Sequence, residues 1–464
     1  MFRPIARALT ALIPLAAATA LNVAPAAAAD RIDFGRALQP IDGFGFSEAF
    51  QRATLMQGAR GLTPQAQREV LGLLLDRRSG AGLSILRLGI GSSADSVYDH
   101  MPSIEPADPG GPGAKPVYTW DSSDGGQVWL ARQARAYGVR RFYADAWSAP
   151  GFMKDNGSDS NGGTLCGLSG TSCPSGDWRR AYANYLVQYT RFYQREGIRI
   201  TDLGFTNEPD WTASYASMRL TPAQAAEFVK VLGPVAARAH LKVACCDSFG
   251  WNEQAAYTSA IAADPQAARW VVTYTGHSYA SAPESPPPTT RRAWMSEWSP
   301  NGSTWNENWD DGSGYDGFAV AQNVHDTLTK AGASGYLYWL GASTGATRAL
   351  IQLDGATYHV SKRLWAVAAY SRFIRPGAVR VPVTAANPAL EISAFRNADG
   401  SRVVEVLNTA TTPVAADLAA GRGEPRTYLT DASHALTETG TVTLRHGTLA
   451  ATFAPRSLTT VVIR

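Results

Sequence analysis

Between residues 41 and 340 the chain alternates two kinds of hydrophobic pattern. Short apolar runs of strand length end in polar or turn residues, and between them lie stretches whose apolar positions recur every three or four residues. The runs cover residues 41–50, 83–89, 141–147, 198–206, 241–246, 270–277, 293–299 and 335–340. The helical stretches cover residues 63–77, 127–137, 177–196, 222–240, part of 247–269 and 317–331. Thr63-Pro64 supplies a cap with a first-turn proline, and Gly138 closes the helix before it. Eight strands alternating with helical segments predict an α/β fold, a (β/α)8 TIM barrel over residues 41–370.

Beyond residue 370 the period changes to two, over residues 378–383, 390–395, 403–407 and 457–463, with turns such as Asn397-Ala398-Asp399-Gly400 between them. This predicts a small antiparallel β-sandwich over residues 371–464. Residues 31–38 alternate weakly, as an edge strand does. The N-terminal residues 1–29 follow a third pattern: Arg3 and Arg7, an apolar run from Ala8 to Ala20, then Ala26-Ala27-Ala28-Ala29 before Asp30. That order is the signature of a secretory signal peptide, and its apolar run is short for a membrane span. A secreted, extracellular protein with no membrane attachment after signal removal is expected.

Composition narrows the function classes. The 464 residues carry a net charge of +3 with 17% charged residues and no Lys/Arg cluster, which argues against nucleic acid as a partner. All 13 tryptophans fall between Trp120 and Trp365, so the barrel has flat aromatic surface to offer a sugar, and the Trp-free sandwich reads as structural. Cys166 and Cys173 flank a Gly/Ser/Thr loop, and export predicts a disulfide between them. Cys245 and Cys246 are adjacent: a vicinal disulfide and a reduced pair are both open, and strand alternation, which points them to opposite faces, favours the reduced state. No Cys/His/Asp/Glu spacing matches a metal site and no glycine loop matches a phosphate cradle, so neither metal nor cofactor is expected.

Two strand ends carry chemistry. Leu203-Gly204-Phe205-Thr206-Asn207-Glu208-Pro209 and Ala293-Trp294-Met295-Ser296-Glu297-Trp298-Ser299-Pro300 are apolar runs that end in a glutamate and are closed by proline. Carboxylates at the C-terminal ends of barrel strands lie where active sites are built. Two glutamates there match the needs of glycosidic bond cleavage, which uses one carboxyl as nucleophile and one as acid/base about 5–5.5 Å apart when configuration is retained.

With Gly43-Phe44-Gly45, Trp147-Ser148-Ala149-Pro150-Gly151-Phe152-Met153-Lys154, Asn207-Glu208-Pro209, Ser296-Glu297 and Phe373-Ile374-Arg375-Pro376-Gly377, the chain resembles clan A glycoside hydrolases of family 30. The resemblance implies a barrel whose side sandwich is built from both chain ends, with residues 30–40 adding a strand. Through Ile41-Asp42-Gly43-Phe44-Gly45-Phe46-Ser47-Glu48-Ala49-Phe50 it is most similar to the endo-β-1,6-galactanases. It therefore implies a secreted, monomeric, retaining endo-β-1,6-galactanase acting on type II arabinogalactan side chains. The alternatives are another family 30 glycanase (β-1,6-glucanase, xylanase or exo-acting) and a catalytically silent carbohydrate-binding protein.

The resemblance also implies roles. Glu297 is the nucleophile and Glu208 the acid/base. Asn207 contacts the sugar 2-hydroxyl, and Glu48 takes a hydroxyl-binding position. Arg87, a cation on a buried strand, orients Glu297, and Tyr279 rather than Tyr274 supplies a hydroxyl to the nucleophile, near His277. Trp147 and Trp339 floor the central subsite. Trp211, Trp298, Trp305 and Trp309 are candidates for outer subsites.

Overall fold

The computed structural model describes Met1 and residues 30–464 except 346 and 441; the signal-peptide reading lies outside the described residues. Eight parallel strands close into a barrel: Gly43–Ser47, Ile85–Ile90, Arg141–Ala146, Asp202–Leu203, Lys242–Ser248, Val271–His277, Arg292–Trp298 and Gly335–Trp339. Helices between them form the outer layer. Their starts follow the local chemistry. Thr63 accepts a hydrogen bond from the backbone N–H of Ala66, and Thr221 and Gln224 form a capping box ahead of Pro222. The expected TIM barrel is the fold observed.

Inside the barrel, Ile85, Tyr143, Ala244, Trp294 and Leu337 form a buried layer of their own. Side chains two residues apart on a strand face the same way. The layer above, toward the C-terminal end, therefore receives Arg87 from the second strand, Asp145 from the third and Trp339 from the eighth. Gly204 makes room for it: a Cβ there would lie 2.0 Å from Asp145 Oδ1 and 2.6 Å from the Tyr143 hydroxyl.

The second region is a sandwich of a five-stranded and a six-stranded sheet, with its own core of Ile32, Val381, Leu390, Val404, Leu418, Phe453, Val461 and Ile463. Both chain ends contribute. Asp30–Ile32 pairs antiparallel with Val383–Thr384 and parallel with Val414–Ala419. The edge strand is shorter than the alternation over residues 31–38 predicts, but Asp33, Leu38 and Ile41 still donate backbone hydrogen bonds to Pro382, Arg380 and Ala378. A three-stranded sheet, Ala342–Thr344, Ile351–Asp354 and Thr357–Val360, follows the eighth barrel strand and was not legible as alternation.

Cys166 and Cys173 are joined, with Cα atoms 5.7 Å apart. Cys245 and Cys246 are also joined, which corrects the expectation of a reduced pair: the strand's register shifts on either side of them, so regular alternation does not apply. Among the described residues no helix is long and apolar enough to cross a membrane.

Candidate active site

The C-terminal end of the barrel opens into a cavity of about 330 Å³ with Glu208 and Glu297 in its wall. Three strands depart from regular pairing just below it. The register shifts between Cys246 and Ser248, between Gly276 and His277, and between Met295 and Trp298. Such irregularities re-aim a side chain that strict alternation would place elsewhere. They bring Asp247, His277 and Glu297 into one buried hydrogen-bonded group. Glu208 itself has φ of 50°, a left-handed conformation uncommon for a residue with a side chain, and its N–H donates to Asp247 O at 2.7 Å.

Glu297 is held at both oxygens. Arg87 Nη1 donates to Oε2, and the Tyr279 hydroxyl donates to Oε1 at 3.0 Å. Arg87 is fully buried, and its Nη2 also reaches Asp145 Oδ2 at 2.8 Å, Asn207 Oδ1 at 2.6 Å and Asp247 Oδ1 at 3.3 Å. The Trp147 ring lies 4.4 Å from the guanidinium carbon. With Oδ1 of Asn207 taken by Arg87, its amide nitrogen is the group left to donate.

Glu208 is held differently. His277 Nδ1 is 3.0 Å from Oε1, and the Tyr215 hydroxyl donates to Oε2 at 3.3 Å. Burial pushes the Glu208 carboxyl above the ordinary range, and the nearby Glu297 charge adds to this, against the pull of His277. Burial opposes charging of His277, yet the carboxylates of Glu297, Asp247 and Glu208 outweigh it and push its pKa up to about 10. Asp247 is the counter-case: desolvation would raise it, but Arg87 and His277 hold it down to about 2. Two glutamates thus share one cavity with unlike partners, a cation and a phenol for Glu297, an imidazole and a phenol for Glu208. Ligand atoms of Glu208, His277 and Glu297 all lie within 4.8 Å of one another, so one oxygen of each glutamate is that close to the other.

Two aromatic walls flank the carboxyls. On one side the Phe50 ring packs edge-on against Trp147, Tyr215 and Trp339 at 5.4, 5.8 and 6.1 Å. On the other, Trp211 stacks on Phe249 at 4.7 Å, and Phe249 meets Tyr279 at 5.5 Å. Arg52, Asp99, Asn301 and Arg348 complete the lining.

The sequence-predicted residues divide accordingly. Trp147, Trp211, Tyr279 and Trp339 line the cavity with the two glutamates. Arg87, Asn207 and His277 lie behind this wall, buried, and act on it through hydrogen bonds. Tyr274 is buried on the sixth strand in the main core. Three expected substrate contacts do not line this cavity. Glu48 is buried and accepts from the N–H of Ala342, tying down the turn after Trp339. Trp298 packs on the main core. Trp305 donates to Glu307 at 2.8 Å and lies under the Arg363 guanidinium. Trp309, proposed with them, is buried and donates to Arg456 O at 2.6 Å, facing the sandwich. Phe50, Tyr215, Phe249 and Asp247 were missed. Asp247, a carboxylate ending a strand, carried the same signal as Glu208; the aromatic residues sit in loops without a pattern.

Comparison with known proteins gives a consistent set of relatives. Residues 127–313 match the glycosyl hydrolase family 30 TIM-barrel domain, and residues 377–461 match the family 30 beta sandwich domain. The chain is similar to the catalytic domain of a GH30 xylanase C from Talaromyces cellulolyticus, with 39% identity, a TM-score of 0.89, and coverage of 94% of this chain and 100% of that one. It is 23% identical to an endo-1,6-beta-D-glucanase of Aspergillus fumigatus over 401 residues, 79% of this chain and 78% of that protein. A putative glucosylceramidase 2 of Caenorhabditis elegans is 27% identical over 306 residues; that match spans 58% of this chain and about half, 56%, of the relative's length.

Proposed function

This chain belongs to glycosyl hydrolase family 30, and from that premise we propose that it is an exported, retaining endo-β-glycanase with xylan as its substrate class. The observation that carries the mechanism is the approach of one Glu208 oxygen and one Glu297 oxygen to within 4.8 Å across an aromatic-walled cavity. A retaining pair stands about 5–5.5 Å apart, whereas an inverting pair leaves about 6.5–9.5 Å for a water.

In the first step Glu297, oriented by Arg87 and Tyr279, attacks the anomeric carbon while Glu208 gives its proton to the departing glycosidic oxygen. Burial favours the protonated form of Glu208. In the second step Glu208 takes a proton from water, which displaces Glu297 and restores both groups. The Asn207 amide, fixed by Arg87, is placed to donate to a sugar hydroxyl next to the reacting carbon.

The xylan reading is supported by the 39% identity to a xylanase whose catalytic domain is matched in full. A second reading, β-1,6-galactan, rests on the Ile41–Phe50 segment, of which Phe50 lines the cavity. Incubation with glucuronoxylan, β-1,6-glucan and β-1,6-galactan, with products followed by proton NMR, tests all of this. Xylo-oligosaccharides released first as the β-anomer are expected. Galacto-oligosaccharides alone would move the substrate to the second reading, and release of the α-anomer would overturn the retaining mechanism.

A further inference from the structure

Outside the lining of the catalytic cavity, the helix Gly317–Thr329 packs against the sandwich strand Leu390–Arg396. At that contact His325 and Asp326 from the helix meet Glu391 from the strand, and one ligand atom from each lies within 4.8 Å of the others. His325 is 6% exposed. Each of the three keeps one buried atom without a hydrogen-bond partner among the described residues: His325 Nδ1, Asp326 Oδ1 and Glu391 Oε2. Unpaired buried polar atoms are costly, and three at one junction call for a shared partner.

The remaining oxygens are held from outside. Lys330 Nζ pairs with Asp326 Oδ2 at 3.0 Å, and Gln322 Nε2 donates to Glu391 Oε1 at 3.2 Å. Outer partners that fix one oxygen and leave the other free are the arrangement that orients carboxylate ligands around a metal. Lys330 and Arg380 are the nearby cations, and Glu284 adds a third carboxylate to Asp326 and Glu391.

We propose that His325, Asp326 and Glu391 form a binding site for a divalent transition-metal ion of the zinc class, which clamps the barrel to the sandwich. One imidazole nitrogen with two carboxylate oxygens suits zinc, whose open positions water would fill, better than calcium, which takes oxygen ligands almost alone. Spacing along the chain does not announce such a site, because the third ligand comes from the other sheet system.

The test is zinc titration of the chain without its first 29 residues, by calorimetry and by metal analysis after dialysis against zinc chloride, beside E391Q, H325A and E208Q. One zinc per chain is expected, with affinity at least tenfold weaker in E391Q and H325A and unchanged in E208Q. Zinc is also expected to raise the melting temperature of the parent chain more than that of E391Q. E391Q nearly preserves side-chain volume, so it stays informative if H325A fails to fold. Less than about a tenth of a zinc per chain would overturn the proposal. So would binding that E391Q leaves intact, or binding that E208Q abolishes, which would assign the ion to the catalytic carboxyls.

Discussion

His277 Nδ1 lies 3.0 Å from Glu208 Oε1, so the acid/base is tied to a buried imidazole whose other nitrogen faces Asp247. That contact offsets part of the effect of burial on how tightly Glu208 holds its proton. Burial raises the carboxyl, and the hydrogen bond and charge of His277 pull it back. Replacing His277 with Gln removes the pull, so the pKa of Glu208 rises further. The first step needs Glu208 protonated, and activity is lost as pH climbs through that pKa. The alkaline limb of the kcat/KM profile is therefore expected at higher pH in H277Q than in the parent. An unchanged limb, or one at lower pH, would show that His277 does not tune Glu208.

The same histidine links stability to pH. Its pKa is about 10 in the folded chain against an ordinary 6.5. A raised folded value means that the charged form is favoured by folding, so this stabilisation is complete below pH 6.5 and fades as pH rises toward about 10. Melting temperatures measured from pH 6 to 10 are expected to fall in the parent and to fall less in H277Q. Parallel curves would remove His277 from the account.

Glu208→Ala and Glu297→Gln are expected to fail in different ways. Loss of the general acid costs about 10²- to 10⁴-fold on polysaccharide. It costs little in the first step on an aryl glycoside whose leaving group departs without a proton. Loss of the nucleophile has no such escape and is expected to cost on the order of 10⁴-fold or more on both substrates. Equal losses for the two variants on the aryl glycoside would contradict the division of roles.

How much of this was legible in the sequence follows from which signals are local. The barrel strands and helices announce themselves through period, and Glu208 and Glu297 through apolar runs that end in a carboxylate and then proline. The hydrogen-bonded network behind the glutamates was less legible. Asp247 and His277 enter the site through register shifts, which break the alternation by which inward and outward positions are assigned. Trp298 and Trp309 follow the nucleophile closely in sequence, yet they pack on the main core, and Trp309 also bonds to Arg456 of the sandwich. Proximity along the chain was a poor guide there, because long-range packing decided where those rings went.

Tyr279 offers a narrower test. Its hydroxyl donates to Glu297 Oε1 at 3.0 Å and its ring also lines the cavity. Tyr279→Phe keeps the ring and deletes the hydrogen bond, which is worth about 1.5–3 kcal/mol when the acceptor is charged. A fall in kcat of about 10- to 100-fold with little change in fold is expected from that range. Circular dichroism checks the fold, and pre-steady-state kinetics locate the loss in formation of the glycosyl-enzyme. A change confined to KM would make Tyr279 a wall residue only.

Arg87 joins stability to chemistry. It is fully buried, with Glu297, Asp145, Asp247 and Asn207 on its two terminal nitrogens, so no single carboxylate owns it. Arg87→Met leaves three carboxylates, two of them fully buried, without their shared cation. Removing one side of a buried ion pair costs about 3–5 kcal/mol. Arg87→Lys restores the charge but not the planar fork that lets two nitrogens serve four partners. The lysine variant is therefore expected to regain most of the stability in urea unfolding while kcat stays low, because Glu297 and Asn207 can no longer be held together. If lysine restored both, charge alone would suffice and the fork geometry would carry no catalytic weight. If it restored neither, the loss would be one of packing rather than of positioning.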